Sequence, residues 1–243
     1  PSPPEVLAGI LLEMARADSS ATVVDLGCGT GLSTRYWSGK VARVIGVEPT
    51  DAMREEAERK GGDGVSYRPG FSHDTGVPDA CADLVTCSQA LHWMDPQATF
   101  EEAKRILRPG GVFAAYDYDW PPVTGVWELE AAYVDCDQRS RGIERGQGLS
   151  PGLKFQEKSG HLARMTSSGA FRWTRELLVH HEDEGDGARL CGLVLSQGSV
   201  RTVLKAGYQE SDFGLDQLRE LAAKLMPERR RWLWSSRVRV GVV

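Results

Sequence analysis

The sequence predicts an α/β fold: a doubly wound, mostly parallel seven-stranded sheet with helices on both faces and an antiparallel last strand. Three observations lead there. Short apolar, β-branched runs alternate with amphipathic segments from Thr22 to Tyr118, an order that implies parallel strands joined by right-handed crossovers. The first run ends in the glycine-rich turn Gly27-Cys28-Gly29-Thr30-Gly31, and the second closes on the acidic residue Glu48. Beyond Trp120 two helical stretches follow one another without a strand between them, which marks a helical cap inserted after the fifth strand, with further helices between the sixth and seventh.

The elements follow in chain order. Val6, Ile10, Leu11 and Met14 recur at helical spacing over Glu5 to Ala17, giving a first amphipathic helix. Thr22 to Leu26 and Val41 to Val47 are apolar without alternation, as parallel strands covered on both faces require; helices are expected over Leu32 to Ser38 and Asp51 to Lys60. Val65 to Arg68 reads as a third strand, Asp83 to Ser88 as a fourth, Pro96 to Leu107 as a helix, Pro109-Gly110-Gly111 as a turn and Val112 to Tyr118 as a fifth strand. After the Pro121-Pro122 break, Trp127 to Arg145 and Leu153 to Ser168 read as helices, Phe171 to Glu182 as a sixth strand, Ala188 to Ala206 and Leu215 to Leu225 as helices, and Trp232 to Val243 as the seventh strand. One domain is expected over residues 1–243, with a ligand-binding core at 18–120 and cap insertions at 121–170 and 185–226.

Composition narrows the class without naming it. Of 243 residues 41% are hydrophobic and 26% charged, an ordinary globular balance. A net charge of −5 disfavours nucleic acid, and the run Arg229-Arg230-Arg231 reads as a solvated helix end. The five cysteines form no C-x-x-C or Cys/His pair at metal-ligand spacing, so no metal and a reduced, cytoplasmic setting are expected. No apolar stretch approaches membrane-spanning length, so no membrane partner is expected. The abrupt Pro1-Ser2-Pro3-Pro4 opening leaves room for a preceding segment.

The chemistry is carried by VVDLGCGTG, Val23 to Gly31, with Glu48 ending the next strand. Glycines at Gly27, Gly29 and Gly31 permit a tight turn and close ligand approach at the carboxyl edge of the sheet, where such folds bind ligands. A carboxylate closing the neighbouring strand can accept both hydroxyls of a ribose, so the pair describes a nucleoside site. A dinucleotide fingerprint requires G-x-G-x-x-G, and the position three after Gly29 is Leu32. The acidic Asp25 just before the loop disfavours a pyrophosphate and suits the ammonium group of a methionine tail.

From Thr22 to Tyr116 the chain resembles the class I S-adenosylmethionine-dependent methyltransferases, in particular the small-molecule branch of the ubiquinone/menaquinone-biosynthesis and trans-aconitate methyltransferase families. The blocks VVDLGCGTG, VIGVEPTDAM, DLVTCSQALHWM and EAKRILRPGGVF carry the resemblance, in family order and spacing. It implies S-adenosyl-L-methionine as cofactor and S-adenosyl-L-homocysteine as product. Asp25, Gly27, Cys28, Gly29 and Gly31 would face the methionine portion, and Glu48, followed by Pro49, would hold the ribose hydroxyls. Met53 would cover one face of the adenine, with Phe71 and Ser72 after Gly70 at the other face and the exocyclic amine; Ser88 and Gln89 would lie by the amino-acid end. Many family members carry an acidic residue after the glycine matching Gly70, whereas this chain has Phe71-Ser72-His73-Asp74, so backbone amides are the alternative readers of the base.

Methyl transfer is an in-line displacement in which the enzyme positions the acceptor and, where needed, removes a proton. His92, after the fourth strand, could meet an acceptor proton or the cofactor's carboxylate, or be a hydrogen-bonded structural histidine; Trp93 beside it could wall a pocket or pack the core. In Tyr116-Asp117-Tyr118-Asp119-Trp120, period-two alternation sends Tyr116 and Tyr118 to one face and Asp117 and Asp119 to the other. His92, Asp117 and Tyr116 are therefore the catalytic candidates, and Trp93, Tyr118, Asp119, Trp120 and Trp127 the substrate-side ones. Trp127, Phe155 and Trp173 could shape an aromatic pocket or pack a core. Adjacent His180 and His181 point to opposite strand faces and cannot readily share a metal. The expected activity is methylation of a small molecule, with a planar or aromatic metabolite weakly preferred, by a monomer or homodimer. The rival readings are an RNA or protein methyltransferase and a non-catalytic cofactor-binding protein.

Overall fold

The computed structural model describes residues 2–150 and 156–243. Leu153 and Phe155, which the sequence assigns to a helix and an aromatic wall, lie outside the described residues. The chain forms two compact units, one of residues 1–118, 154–179 and 236–243, the other of 119–153 and 180–235.

The first unit carries the alternating elements: α1 (Glu5–Met14), β1 (Thr22–Leu26), α2 (Leu32–Tyr36), β2 (Arg43–Val47), α3 (Asp51–Lys60), β3 (Val65–Arg68), β4 (Ala82–Ser88), α4 (Pro96–Ile106) and β5 (Leu107–Tyr118). It also holds α6 (His161–Ser167) and parts of two long strands that run through both units, β6 (Trp173–Gly185) and β7 (Arg230–Val242). The seven-stranded sheet has the order β3-β2-β1-β4-β5-β7-β6. Strands β1 to β5 pair in parallel, with Val24 opposite Ile45 and Val85, whereas β7 runs antiparallel to β5, with Ala114 opposite Val240. The sequence-predicted seven-stranded sheet with an antiparallel last strand is the sheet observed. Between Leu107, opposite Ala82, and Val112, opposite Leu84, the register breaks, so the Pro109-Gly110-Gly111 turn bulges out of an otherwise continuous strand.

Alternation along β5 divides its side chains between two layers. Phe113 and Ala115 join Phe100, Ala103 and Ile106 of α4 and Met165 of α6, while Val112, Ala114 and Tyr116 join Leu7 and Leu11 of α1 and Tyr36 and Trp37 beside α2. Each fully buried Leu, Val or Phe stabilises the fold by about 1.5–3 kcal/mol. Helix α1 is fastened at its start by the Tyr36 hydroxyl, which accepts from Ala8 N at 2.8 Å and donates to Pro4 O at 2.7 Å. Helix α4 begins where Asp95 accepts from Ala98 N at 3.0 Å with Pro96 at its first position, a side-chain cap followed by a residue that needs no donor.

The second unit is largely helical: α5 (Trp127–Gly146), α7 (Gly187–Leu195), α8 (Gly198–Lys205) and α9 (Leu215–Leu225). Helix α5 packs on α8 and α9, and α7 on α9. Sequence periodicity predicts one helix over Ala188 to Ala206; the structure has two. Leu190, Cys191 and Val194 are buried, so the apolar stripe calls for a residue at 197 or 198, and Gln197 and Gly198 stand there instead. Gln197 is extended, and its amide Nε2 donates to Tyr133 Oη at 2.8 Å. In the region expected as a helix over Leu153 to Ser168, the described part is a short 3-10 turn at Lys158–Gly160 followed by α6.

Among the described residues no helix is long and apolar enough to cross a membrane, and no group of three or more His, Cys, Asp or Glu is placed to hold a metal. His180 donates to or accepts from Ser235 Oγ at 2.9 Å, while His181 stacks on Trp234.

Candidate active site

The glycine loop leaves β1 and turns against the end of β2. Gly27 N and Cys28 N both donate to Val47 O, at 2.9 and 3.2 Å. Two positions need glycine for distinct reasons. At Gly31, with φ +77°, an added Cβ would lie 2.4 Å from Tyr67 Oη, so a side chain is barred by both backbone and neighbour. At Gly29, with φ +55°, a Cβ would meet nothing within 4 Å: this is the open side of the loop, where the backbone can be approached closely.

Glu48 sits at that opening. It is 6% exposed, and its Oε2 accepts from Gly29 N at 2.9 Å while its Oε1 accepts from Thr50 N at 3.0 Å. One carboxylate thus joins the glycine loop to the start of α3, and each oxygen retains a lone pair. Pro49 follows it, and Met53 in the first turn of α3 is 45% exposed.

Asp25 is closed off beneath the loop. It is fully buried and accepts from Ser33 Oγ at 2.7 Å, Thr34 Oγ1 at 2.8 Å and Thr86 Oγ1 at 2.9 Å. Burial pushes its carboxyl up, and the three hydroxyls oppose that shift. The residue ties β1 to the first turn of α2 and to β4, fixing the loop between them. Burial likewise pushes the Cys28 thiol up, which keeps it a protonated packing group rather than a nucleophile.

On the other side of β2, Gly70 leads into a small hairpin in which Phe71 N and Asp74 O, and Asp74 N and Phe71 O, bond at 3.0 and 3.1 Å. Phe71 is 57% exposed and stacks on His73, and the Ser72 hydroxyl bonds Thr99 Oγ1 at 2.8 Å.

At the carboxyl ends of β4 and β5 lies an ion network. Asp117 Oδ2 takes Arg239 Nη1 at 2.8 Å, and its Oδ1 takes Lys158 Nζ at 3.0 Å and lies 3.9 Å from His92 Nδ1. Arg239 Nε continues to Glu176 Oε2 at 2.8 Å. Lys158 Nζ also donates to Gln89 Oε1 at 2.8 Å, and Gln156 N to His92 O at 2.8 Å. Gln89, next to Ser88, holds φ +52°, an uncommon conformation for a residue with a side chain,. Trp93 is half exposed and its ring lies 4.9 Å from that of His92.

The structure brings His92, Asp117, Ser88 and Gln89 to one edge. It puts Tyr116 in the opposite layer, with α1 and α2, where burial pushes its phenol well above the usual value; Tyr118, also buried, is raised too. Asp119, Trp120 and Trp127 belong to the second unit. There Asp119 N donates to Ser235 O at 2.9 Å, Trp120 meets the Trp234 ring edge-on at 5.1 Å, and Trp127 is 73% exposed at the start of α5.

Sequence reasoning missed Lys158, Glu176 and Arg239, because nothing local marks a charged residue whose partner lies 41, 63 or 122 positions away. It missed Tyr67 as well, although alternation in β3 with Val65 gives a signal for it. His161 was missed for a different reason: its burial depends on α6 packing against the sheet. It is fully buried with Nδ1 2.7 Å from Arg164 Nη2. Burial pushes it down to about 4, Arg164, Arg239 and Lys158 act the same way, and Asp117 opposes them.

A folded-state value below the unfolded one means that the unfolded chain binds the extra proton between about pH 6.5 and 4, so stability rises with pH there. From pH 7.5 to pH 5 the chain is expected to lose about 2 kcal/mol through this group alone. Denaturant melts at the two pH values check this against His161→Phe, in which that part of the loss should vanish.

Residues 24–115 match the family model described as a methyltransferase domain. A candidate methyltransferase of Dictyostelium discoideum is 34% identical over 101 residues, 42% of this chain and 38% of its own length. Sterol 24-C-methyltransferase of Aspergillus fumigatus is 30% identical over 180 residues, 68% of this chain and 42% of its own length. The chain thus spans about two fifths of the length of these relatives. Among solved structures, a candidate type II methyltransferase from Anaeromyxobacter dehalogenans superposes with a TM-score of 0.71 at 23% identity, covering 100% of this chain and 97% of that one. The loop-and-carboxylate geometry, the sheet order and the family match agree, and residues 24–115 form a class I, S-adenosylmethionine-dependent methyltransferase domain.

Proposed function

We propose that this chain transfers a methyl group from S-adenosylmethionine to a small-molecule acceptor. The observation that carries the reading is the junction of Gly29 N with the Glu48 carboxylate, beside the open face of the loop. The residues present fit the cofactor: a carboxylate with free lone pairs for vicinal hydroxyls, a backbone that can be approached closely, and apolar side chains exposed at Met53 and Phe71. The relative named for sterol methylation supports a small-molecule acceptor.

When bound, S-adenosylmethionine supplies an electrophilic methyl carbon on a sulfonium. The work of the protein is then placement and proton handling. Glu48 holds the ribose, Asp25 stiffens the loop from below, and Phe71 with Ser72 meets the base. His92 takes a proton from the acceptor where one must leave, and Asp117, 3.9 Å away, favours the imidazolium that forms. Arg239 and Lys158 occupy the two oxygens of Asp117, an arrangement that suits a positioning group better than a proton acceptor.

The test is calorimetric titration of the chain with S-adenosylmethionine, S-adenosylhomocysteine and NAD, which needs no knowledge of the acceptor. Micromolar binding of the first two and none of NAD is the expected result. Binding of NAD, or of none of the three, would overturn it.

A further inference from the structure

One face of α4 grips the segment that leads from the Phe71–Asp74 hairpin to β4, rung by rung. Thr99, Glu102 and Arg105 follow one another at intervals of three residues, so their side chains emerge on the same side of the helix. Thr99 Oγ1 bonds Ser72 Oγ at 2.8 Å. Glu102 Oε1 accepts from Thr75 N at 2.9 Å and from Thr75 Oγ1 at 2.5 Å, and its Oε2 accepts from Arg105 Nε at 2.7 Å. Arg105 Nη2 then donates to Val77 O at 2.7 Å, and its Nη1 pairs with Asp79. Residues 72, 75, 77 and 79 are therefore each tied to the helix.

This is more than a connection between strands requires. Phe71 projects from the hairpin 57% exposed, so burial does not fix it. Its place is set by the backbone bonds to Asp74 and by the anchoring of Ser72 and Thr75, which follow it. Glu102 is the central rung: it is 8% exposed and, of the three, it is the one that touches both the hairpin side, through Thr75, and the far end, through Arg105.

We propose that Glu102 is a positioning residue for base recognition, holding the hairpin so that Phe71 and Ser72 meet a purine with fixed geometry. The proposal deepens the cofactor reading above and rests on it. Glu102 touches no ligand in this account. Its effect reaches the base only through the hairpin, which makes the effect separable from ordinary bracing of the fold.

The experiment is calorimetry on the chain and on Glu102→Gln, Phe71→Ala and the double variant, with S-adenosylhomocysteine and S-inosylhomocysteine as probes. The second probe replaces the exocyclic amine by a carbonyl. Gln at 102 keeps an acceptor for Thr75 but removes the charge that holds Arg105. The expected results are an affinity for S-adenosylhomocysteine about tenfold weaker in Glu102→Gln, a narrower preference for adenine over hypoxanthine, and no further loss when Phe71→Ala is already present. A lowered melting midpoint with affinity and base preference at wild-type values would overturn the proposal, leaving only a brace; so would independent, multiplying effects of the two substitutions. Thr99→Val, isosteric and one rung away, gives the same comparison should Glu102→Gln fail to fold. Failure of the unaltered chain to bind S-adenosylhomocysteine is a separate outcome: it overturns the cofactor reading itself and this proposal with it.

Discussion

Glu48→Ala is expected to weaken S-adenosylhomocysteine binding at least 100-fold. Its carboxylate would accept two ribose hydroxyls, and hydrogen bonds to a charged partner contribute about 1.5–3 kcal/mol each. Two of them correspond to roughly two to four orders of magnitude in affinity. The substitution also strips the acceptor from Gly29 N and from Thr50 N, loosening the loop. Glu48→Gln is expected to do almost as much damage. Both oxygens already face a backbone N–H, so an amide NH2 at either position sets donor against donor. Calorimetry on the two variants checks this. An affinity that survives Glu48→Ala would remove the ribose role, while full recovery in Glu48→Gln would show that charge and orientation at this site are unimportant.

The parts of this molecule that were legible in its sequence are those whose cause is local. Val23, Val24 and Leu26 show no apolar/polar alternation because β1 is covered on both faces, with Asp25 the one charged residue among them, and the glycines follow because the chain must turn sharply at the sheet edge. The helix read from Pro96 begins at Pro96 in the structure, because a first helical position needs no donor. Alternation correctly divided Tyr116 from Asp117 between the two layers. What alternation could not supply is the partner. The polarity of the Tyr116 to Trp120 segment suggests a ligand edge, yet Asp117 has a structural reason to be there as well. Its counter-charge arrives from Arg239 on β7, 122 residues later, and sequence spacing carries no trace of that pairing. The break between α7 and α8 lies between these extremes: the missing apolar residue at 197 or 198 is visible, but its consequence depends on whether packing tolerates a polar turn there. Glu102 is similar, since an acidic residue on an amphipathic helix ordinarily reads as a solvated one, and only the fold shows that a loop has closed over it.

Arg239→Met is expected to destabilise the first unit by about 3–5 kcal/mol, the range for removing one member of a buried charge network. Arg239 is 2% exposed and bridges Asp117 and Glu176 at 2.8 Å each. Without it, Asp117 retains Lys158, whose side chain is 30% exposed, and Glu176 retains Arg237, 40% exposed; both cations are better solvated and repay less of the cost of holding a carboxylate out of water. Methionine matches the aliphatic stem, so lost packing contributes little and the effect reports the charge. For a chain of this size such a loss corresponds to a melting midpoint lower by roughly 10–15 °C. Combining Arg239→Met with Asp117→Asn and Glu176→Gln should restore a good part of the stability, because the uncompensated charges go with their partner. A single variant that melts within about 1 kcal/mol of the unaltered chain would mean that water reaches Asp117 and that the network does not hold the β5 edge. A destabilised triple variant would place the cost in side-chain shape rather than in charge. The restored triple variant is also the sharper probe of chemistry: it should keep its affinity for S-adenosylhomocysteine, since Glu48 and the glycine loop are untouched, while any effect on turnover then isolates what the Asp117 carboxylate contributes beside His92.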